Sequence, residues 1–170
     1  MGESLLTVPE APLAWRRDLL GLLAFLAGCL VVSGLGGAVT ATSVDGWYPT
    51  LAKPAFTPPD VLFPPVWTAL FVLMAVAGWR VWRRPESEAR TVALNWFGGQ
   101  LVLNLMWSVI FFGLQAPGWA LLEIGALLAA IGATLRAFLR LDGWAAAAFA
   151  PYLLWVVFAA VLNGAIWWLN

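Results

Sequence analysis

The stretch WYPTLAKPAFTPPDVLFPPVW, residues 47–67, decides how the rest of the chain is read. It contains Pro49, Pro54, Pro58, Pro59, Pro64 and Pro65 and lies between two long apolar runs. Each proline fixes its own φ, lacks an N–H donor and pushes the preceding residue toward extended backbone, so the stretch cannot be one continuous helix. Trp47, Tyr48, Phe56 and Phe63 add broad rings with few rotatable bonds. A stiff aromatic connector loses little entropy on closing over a ligand, which makes it a natural lid. A plain loop whose aromatics sit at headgroup level is the competing reading.

Outward from this connector, apolar runs extend over Leu19–Thr42, Val61–Trp82, Thr91–Leu114, Gly118–Leu139 and Trp144–Leu169. Each reaches the roughly 20 residues a helix needs to cross a bilayer. The chain is 62% hydrophobic and only 11% charged, with a mean hydropathy of +0.86, which places it among integral membrane proteins. The expected fold is all-α: residues 1–18 as a polar leader, then residues 19–170 as a bundle of five transmembrane helices, with the Pro-rich first loop capping a central pocket. No internal repeat is visible, and an odd helix count argues against a simple two-fold transporter.

Charge excludes some functions and orients the chain. Nine basic residues balance nine acidic ones without clustering on one face, so nucleic acid is not expected as a partner. Histidine is absent, which removes imidazole metal sites and His-based nucleophile pairs; no metal site and no required cofactor are expected. The single cysteine, Cys29, lies within the first run and cannot form an intrachain disulfide. With five spans, Arg16, Arg17, Arg80, Arg83, Arg84, Arg90, Arg136 and Arg140 fall on one side and only Lys53 on the other. That split predicts a cytoplasmic N-terminus and an outward-facing lid for a chain in the cell membrane.

Several faces carry polar and aromatic residues at helical spacing. In the second run they are Trp67, Phe71, Met74 and Gly78; in the third, Trp96, Gln100, Asn104, Trp107 and Phe111; in the fifth, Tyr152, Trp155, Ala159 and Asn163. Amides at membrane depth need partners, so the third face is expected to look inward, as interhelical glue or as a pocket wall. Ser33, Gly34, Gly36 and Gly37 point to close packing of the first helix, and Gly118, Gly125 and Gly132 to a helix seam within the monomer or between protomers. Glu123 is expected near the interface or hydrogen-bonded, and Pro151 is expected to kink the fifth helix.

The strings WYPTLAKPAFTPP from Trp47, PPVWTALF from Pro64, GGQLVLNLMWSVIFFG from Gly98, GWALLE from Gly118 and PYLLWVVFAAVLN from Pro151 resemble the TspO/MBR family of translocator and tryptophan-rich sensory proteins. They follow the family's order over about the last three-quarters of the chain. The resemblance implies a pocket closed by the first loop, often in a homodimer, that takes tetrapyrroles such as protoporphyrin IX, with haem as a further ligand and sterols in animal members. Carried over position by position, the binding residues are Tyr48, Pro59, Trp67, Phe71, Asn104, Trp107, Trp155 and Ala159. It also implies two alternatives to a receptor or sensor in contact with membrane lipid. One is light-dependent porphyrin degradation with Trp67 and Trp155 as the catalytic indoles, and the other is a small-molecule transporter or channel. Gly164 and Trp168 depart from the family's sterol-recognition pattern, while Phe56 and Phe71 replace its usual Trp and Tyr.

Overall fold

The computed structural model describes residues 11–170, and every regular element among them is helical. Five long helices, α1 (Ala11–Val44), α2 (Phe63–Trp82), α3 (Glu88–Ser108), α4 (Pro117–Leu141) and α5 (Gly143–Leu169), are long and apolar enough to cross a membrane. They stand around the bundle in the order α1, α2, α5, α4, α3, with α2 also touching α3 across the interior. This is the expected five-helix bundle.

Local chemistry sets the helix ends. Pro64 and Pro65 fall in the first turn of α2, and Pro117 opens α4, positions where the missing N–H has no helical partner to lose. Ser87 caps α3 by accepting from the Arg90 amide at 3.2 Å. The guanidinium of Arg90 turns back to donate to the carbonyls of Trp82 and Arg84, occupying acceptors left free at the end of α2.

Three expectations are corrected. The first helix begins at Ala11 rather than Leu19, so residues 11–18 of the expected leader are helical; the rest of that leader lies outside the described residues. The third helix does not run regularly to Leu114: α3 ends at Ser108 and a wide π-turn, Val109–Gly113, follows. There the Leu114 amide donates to Val109 O and the Ala116 amide to Ile110 O, while Gln115 takes a positive φ of 53°. Trp96 shares spacing with Gln100 and Asn104, but it turns outward and is 47% exposed.

The end of the bundle away from the lid is closed by packing and charge. A Cβ on Gly78 would approach Phe25 to 2.8 Å and Phe97 to 3.0 Å, so glycine there permits contact among α1, α2 and α3. Asp142 is buried between α4 and α5, where Oδ1 accepts from the Trp144 and Ala145 amides and Oδ2 pairs with Arg80 at 3.1 Å and Arg84 at 2.7 Å. Burial alone would raise this carboxyl, but hydrogen bonds from Arg84, the Ala145 amide and Arg80, together with the Arg80 charge, lower it to about 2. Arg83 pairs with Asp18 at 2.9 Å, tying α2 to α1 at the same end.

Of the glycine stripe on α4, only Gly118 meets another helix, where a Cβ would come within 2.8 Å of the Trp167 indole. Gly125 and Gly132 face open space on the outer surface of the monomer.

Candidate functional site

A cavity of about 420 Å³ opens between the helices directly under residues 47–67. It lies within the usual size range of small-molecule pockets, roughly 300–1,000 Å³. Seven of the eight residues carried over from the sequence line it: Tyr48, Trp67, Phe71, Asn104, Trp107, Trp155 and Ala159. Pro59 does not. Its ring is exposed, and its carbonyl instead accepts from the Leu62 amide at 2.9 Å, closing the short 3-10 turn Asp60–Leu62 that leads into α2. The neighbouring Asp60 is the residue at the cavity edge.

The tryptophans are fixed in different ways. Trp67 and Trp155 meet edge to face, with centroids 6.4 Å apart and planes at 87°. Trp155 also packs on Phe63 at 5.9 Å and Phe158 at 5.5 Å, and its buried indole N–H has no hydrogen-bond partner among the described residues. Trp107 stacks on Phe111 at 5.0 Å and donates its N–H to Asn163 Oδ1 at 3.1 Å. Asn163 in turn donates to the Pro117 carbonyl at 2.8 Å, so the indole is referenced to the start of α4.

The two amides of α3 separate in role. Asn104 lines the cavity and donates to the Tyr152 hydroxyl at 3.0 Å, which holds its side chain in one orientation. Gln100, one turn away, is fully buried, and neither polar atom of its amide has a partner among the described residues.

The lid begins with Tyr48, whose ring is buried against Phe112 at 5.6 Å and Phe111 at 6.4 Å and covered by the Lys53 ammonium 4.1 Å from its centroid. Burial first, and the Asp60 charge second, push the Tyr48 hydroxyl above its ordinary value, so it remains a neutral phenol.

Sequence spacing missed two walls. Ser33, Gly36, Gly37 and Thr40 of α1 line the cavity, so these small residues open space for it as well as allowing Gly36 to approach Ser108. Their recurrence every three or four residues was the available signal. Phe112 could not be found that way, because Phe111 and Phe112 are sequence neighbours that a regular helix would point about 100° apart. The π-turn brings both rings to the cavity, and the Phe112 carbonyl accepts from the buried Ser43 hydroxyl at 2.6 Å. Such turns recur at functional sites.

Comparison with known proteins accords with this arrangement. The model of the TspO/MBR family matches residues 25–169. The chain is 40% identical over 159 residues to the tryptophan-rich protein TspO of Chlorobaculum tepidum, covering 91% of this chain and 99% of that protein. It is 37% identical over 141 residues to a tryptophan-rich sensory protein of Cereibacter sphaeroides, covering 83% and 85%, respectively. With the translocator protein of Sus scrofa the identity is 35% over 146 residues, covering 82% and 86%. The match takes in the lid, all the cavity-lining helices and the tie between α3 and α5, and on that evidence the chain belongs to the TspO/MBR family.

Proposed function

We propose that this membrane protein is a receptor or sensor for tetrapyrroles, with protoporphyrin IX as the leading ligand and haem as a second. The observation that carries this reading is a lidded cavity walled by Trp67, Phe71, Trp107, Phe111 and Trp155. A flat macrocycle would bury a large apolar area against such rings, and Asn104 supplies a fixed polar group to orient it. The absence of histidine favours the metal-free ring. Titration with protoporphyrin IX in the dark, followed by tryptophan emission, tests the reading. Quenching is expected at saturable stoichiometry, with weaker binding in Trp107→Leu and Asn104→Ala; unchanged affinity in both variants places the site elsewhere.

A second reading, light-driven oxidative breakdown of porphyrin, draws support from the contact between Trp67 and Trp155. Indoles are the abundant oxidisable side chains in a chain with no histidine and one cysteine. Replacing both by phenylalanine should preserve most binding but slow bleaching under illumination. Equal bleaching of free and bound porphyrin removes the enzyme and leaves the receptor.

The clustering of Arg80, Arg83, Arg84 and Arg90 at the end opposite the lid supports a cytoplasmic N-terminus and an outward lid in a cell membrane. A homodimer is part of the same proposal; the outward Gly125 and Gly132 offer a surface on which two copies can approach closely. Labelling of introduced cysteines in the lid and in the link after Trp82 tests the orientation.

A further inference from the structure

We propose that Asn170 is the latch of the lid: a positioning residue that sets how readily the cavity opens to the water phase. Its side chain pairs with both backbone groups of Ala52, with Oδ1 accepting from the Ala52 amide at 2.9 Å and Nδ2 donating to the Ala52 carbonyl at 3.0 Å. Nδ2 also donates to the Ile166 carbonyl of α5 at 2.8 Å, which uses its second hydrogen. The amide is therefore held in place by α5 before it meets the lid, and little of its freedom remains to be lost when the pair forms.

This tie is unusual in its position. The lid is anchored at its start by the buried ring of Tyr48 and at its end by Phe63 against Trp155. Between these anchors, Thr50 and Thr57 hydrogen-bond within the lid, to Trp47 and Pro54, and stiffen it without attaching it. Phe56 meets Phe158 of α5 at 6.4 Å but is half exposed. Among the described residues, the Ala52 pair is the only hydrogen-bonded tie from residues 49–62 to a helix outside the segment's own continuation into α2. A stiff segment pinned at its middle swings as one piece when the pin is removed. The pair is exposed to solvent, where water competes for the same groups, so opening is within thermal reach rather than forbidden.

The side-chain chemistry is specific. Aspartate would keep an acceptor for the Ala52 amide but lose both donors and bring a charge against the Ala52 carbonyl. Alanine would lose all three bonds.

The test uses a thiol reporter, and its result is independent of which ligand the cavity takes. In a Cys29→Ala background, Ser108→Cys places a thiol on the cavity wall, and its labelling by a charged methanethiosulfonate is timed in lipid nanodiscs. Asn170→Ala and Asn170→Asp should each raise the labelling rate at least fivefold. Hydrogen exchange should quicken in the lid but remain unchanged in α2 to α4, which shows that the bundle is intact. Equal labelling rates with and without Asn170 overturn the proposal, whether or not lid exchange changes. Faster exchange throughout the helices also overturns it, because the residue would then be supporting the fold rather than latching the lid.

Discussion

Trp107 and Asn163 join α3 to α5 through a hydrogen bond of 3.1 Å from the indole N–H to Oδ1, and Asn163 passes the constraint on to the Pro117 carbonyl. The cavity wall is thus oriented by a residue whose own amide is already committed. Asn163→Ala should leave Trp107 free to rotate and weaken protoporphyrin binding about tenfold, equivalent to about 1.4 kcal/mol. Fluorescence titration of the variant checks this; wild-type affinity would show that stacking on Phe111 suffices to hold the ring.

Ala159 lines the cavity one helical turn beyond Trp155. A phenyl group at this position would occupy volume that a flat ligand needs, so Ala159→Phe should lower affinity at least tenfold while the protein remains folded. Ala159→Gly, which adds no volume, should bind nearly normally. Equal binding by the phenylalanine variant would exclude this wall from the site.

The buried amides of α3 should respond oppositely to leucine. Asn104→Leu orphans the Tyr152 hydroxyl and should destabilise the bundle, whereas Gln100→Leu removes an amide that has no partner among the described residues. The second change should stabilise by about 1 to 3 kcal/mol, an upward shift in Tm of several degrees in detergent. A lower Tm for Gln100→Leu would mean that the amide is paired in the membrane.

Asp142 predicts an acid limit. Its carboxyl is lowered from 3.8 to about 2 in the folded protein, so the stability it contributes is complete above about pH 4 and disappears as pH falls toward 2. Thermal unfolding between pH 5 and 2 should show this loss, and Asp142→Ala should flatten it. That variant also loses the α5 cap and leaves Arg80 and Arg84 without their partner, costing about 2 to 3 kcal/mol at neutral pH. An unchanged acid slope in the variant would assign the transition to other carboxylates.

Hydropathy was enough to count the spans, because a segment that crosses a membrane must be long, apolar and internally hydrogen-bonded. Helical spacing placed Trp67, Phe71, Asn104, Trp107, Trp155 and Ala159 on faces that meet at the cavity. What spacing cannot show is a change of period. The π-turn shifts register within Val109–Gly113, so Phe112 joins the wall against the helical pattern. Nor does a face announce where it ends: Trp96 continues the spacing of Gln100 and Asn104 yet lies on the outside. For Pro59 the motif fixes the path of the lid but not which of two adjacent residues reaches inward, and it is Asp60 that lines the cavity. Asn170 was invisible because it acts on backbone groups of Ala52, and a main-chain partner leaves no mark in the sequence.

The order of helices around the bundle bears on how the protein is made. The fifth span, α5, sits between α2 and α4 and supplies Trp155, Ala159 and Asn163. Translation inserts the first four spans before the fifth exists, and until then α2 and α4 lack the neighbour that joins them. A ribosome-bound intermediate with four spans therefore has a cleft open to lipid where the finished molecule has a chamber. Until α5 arrives the chamber has no Trp155, Ala159 or Asn163 on its wall, so a chain stalled before α5 should be recognisable to quality control by its unsealed seam.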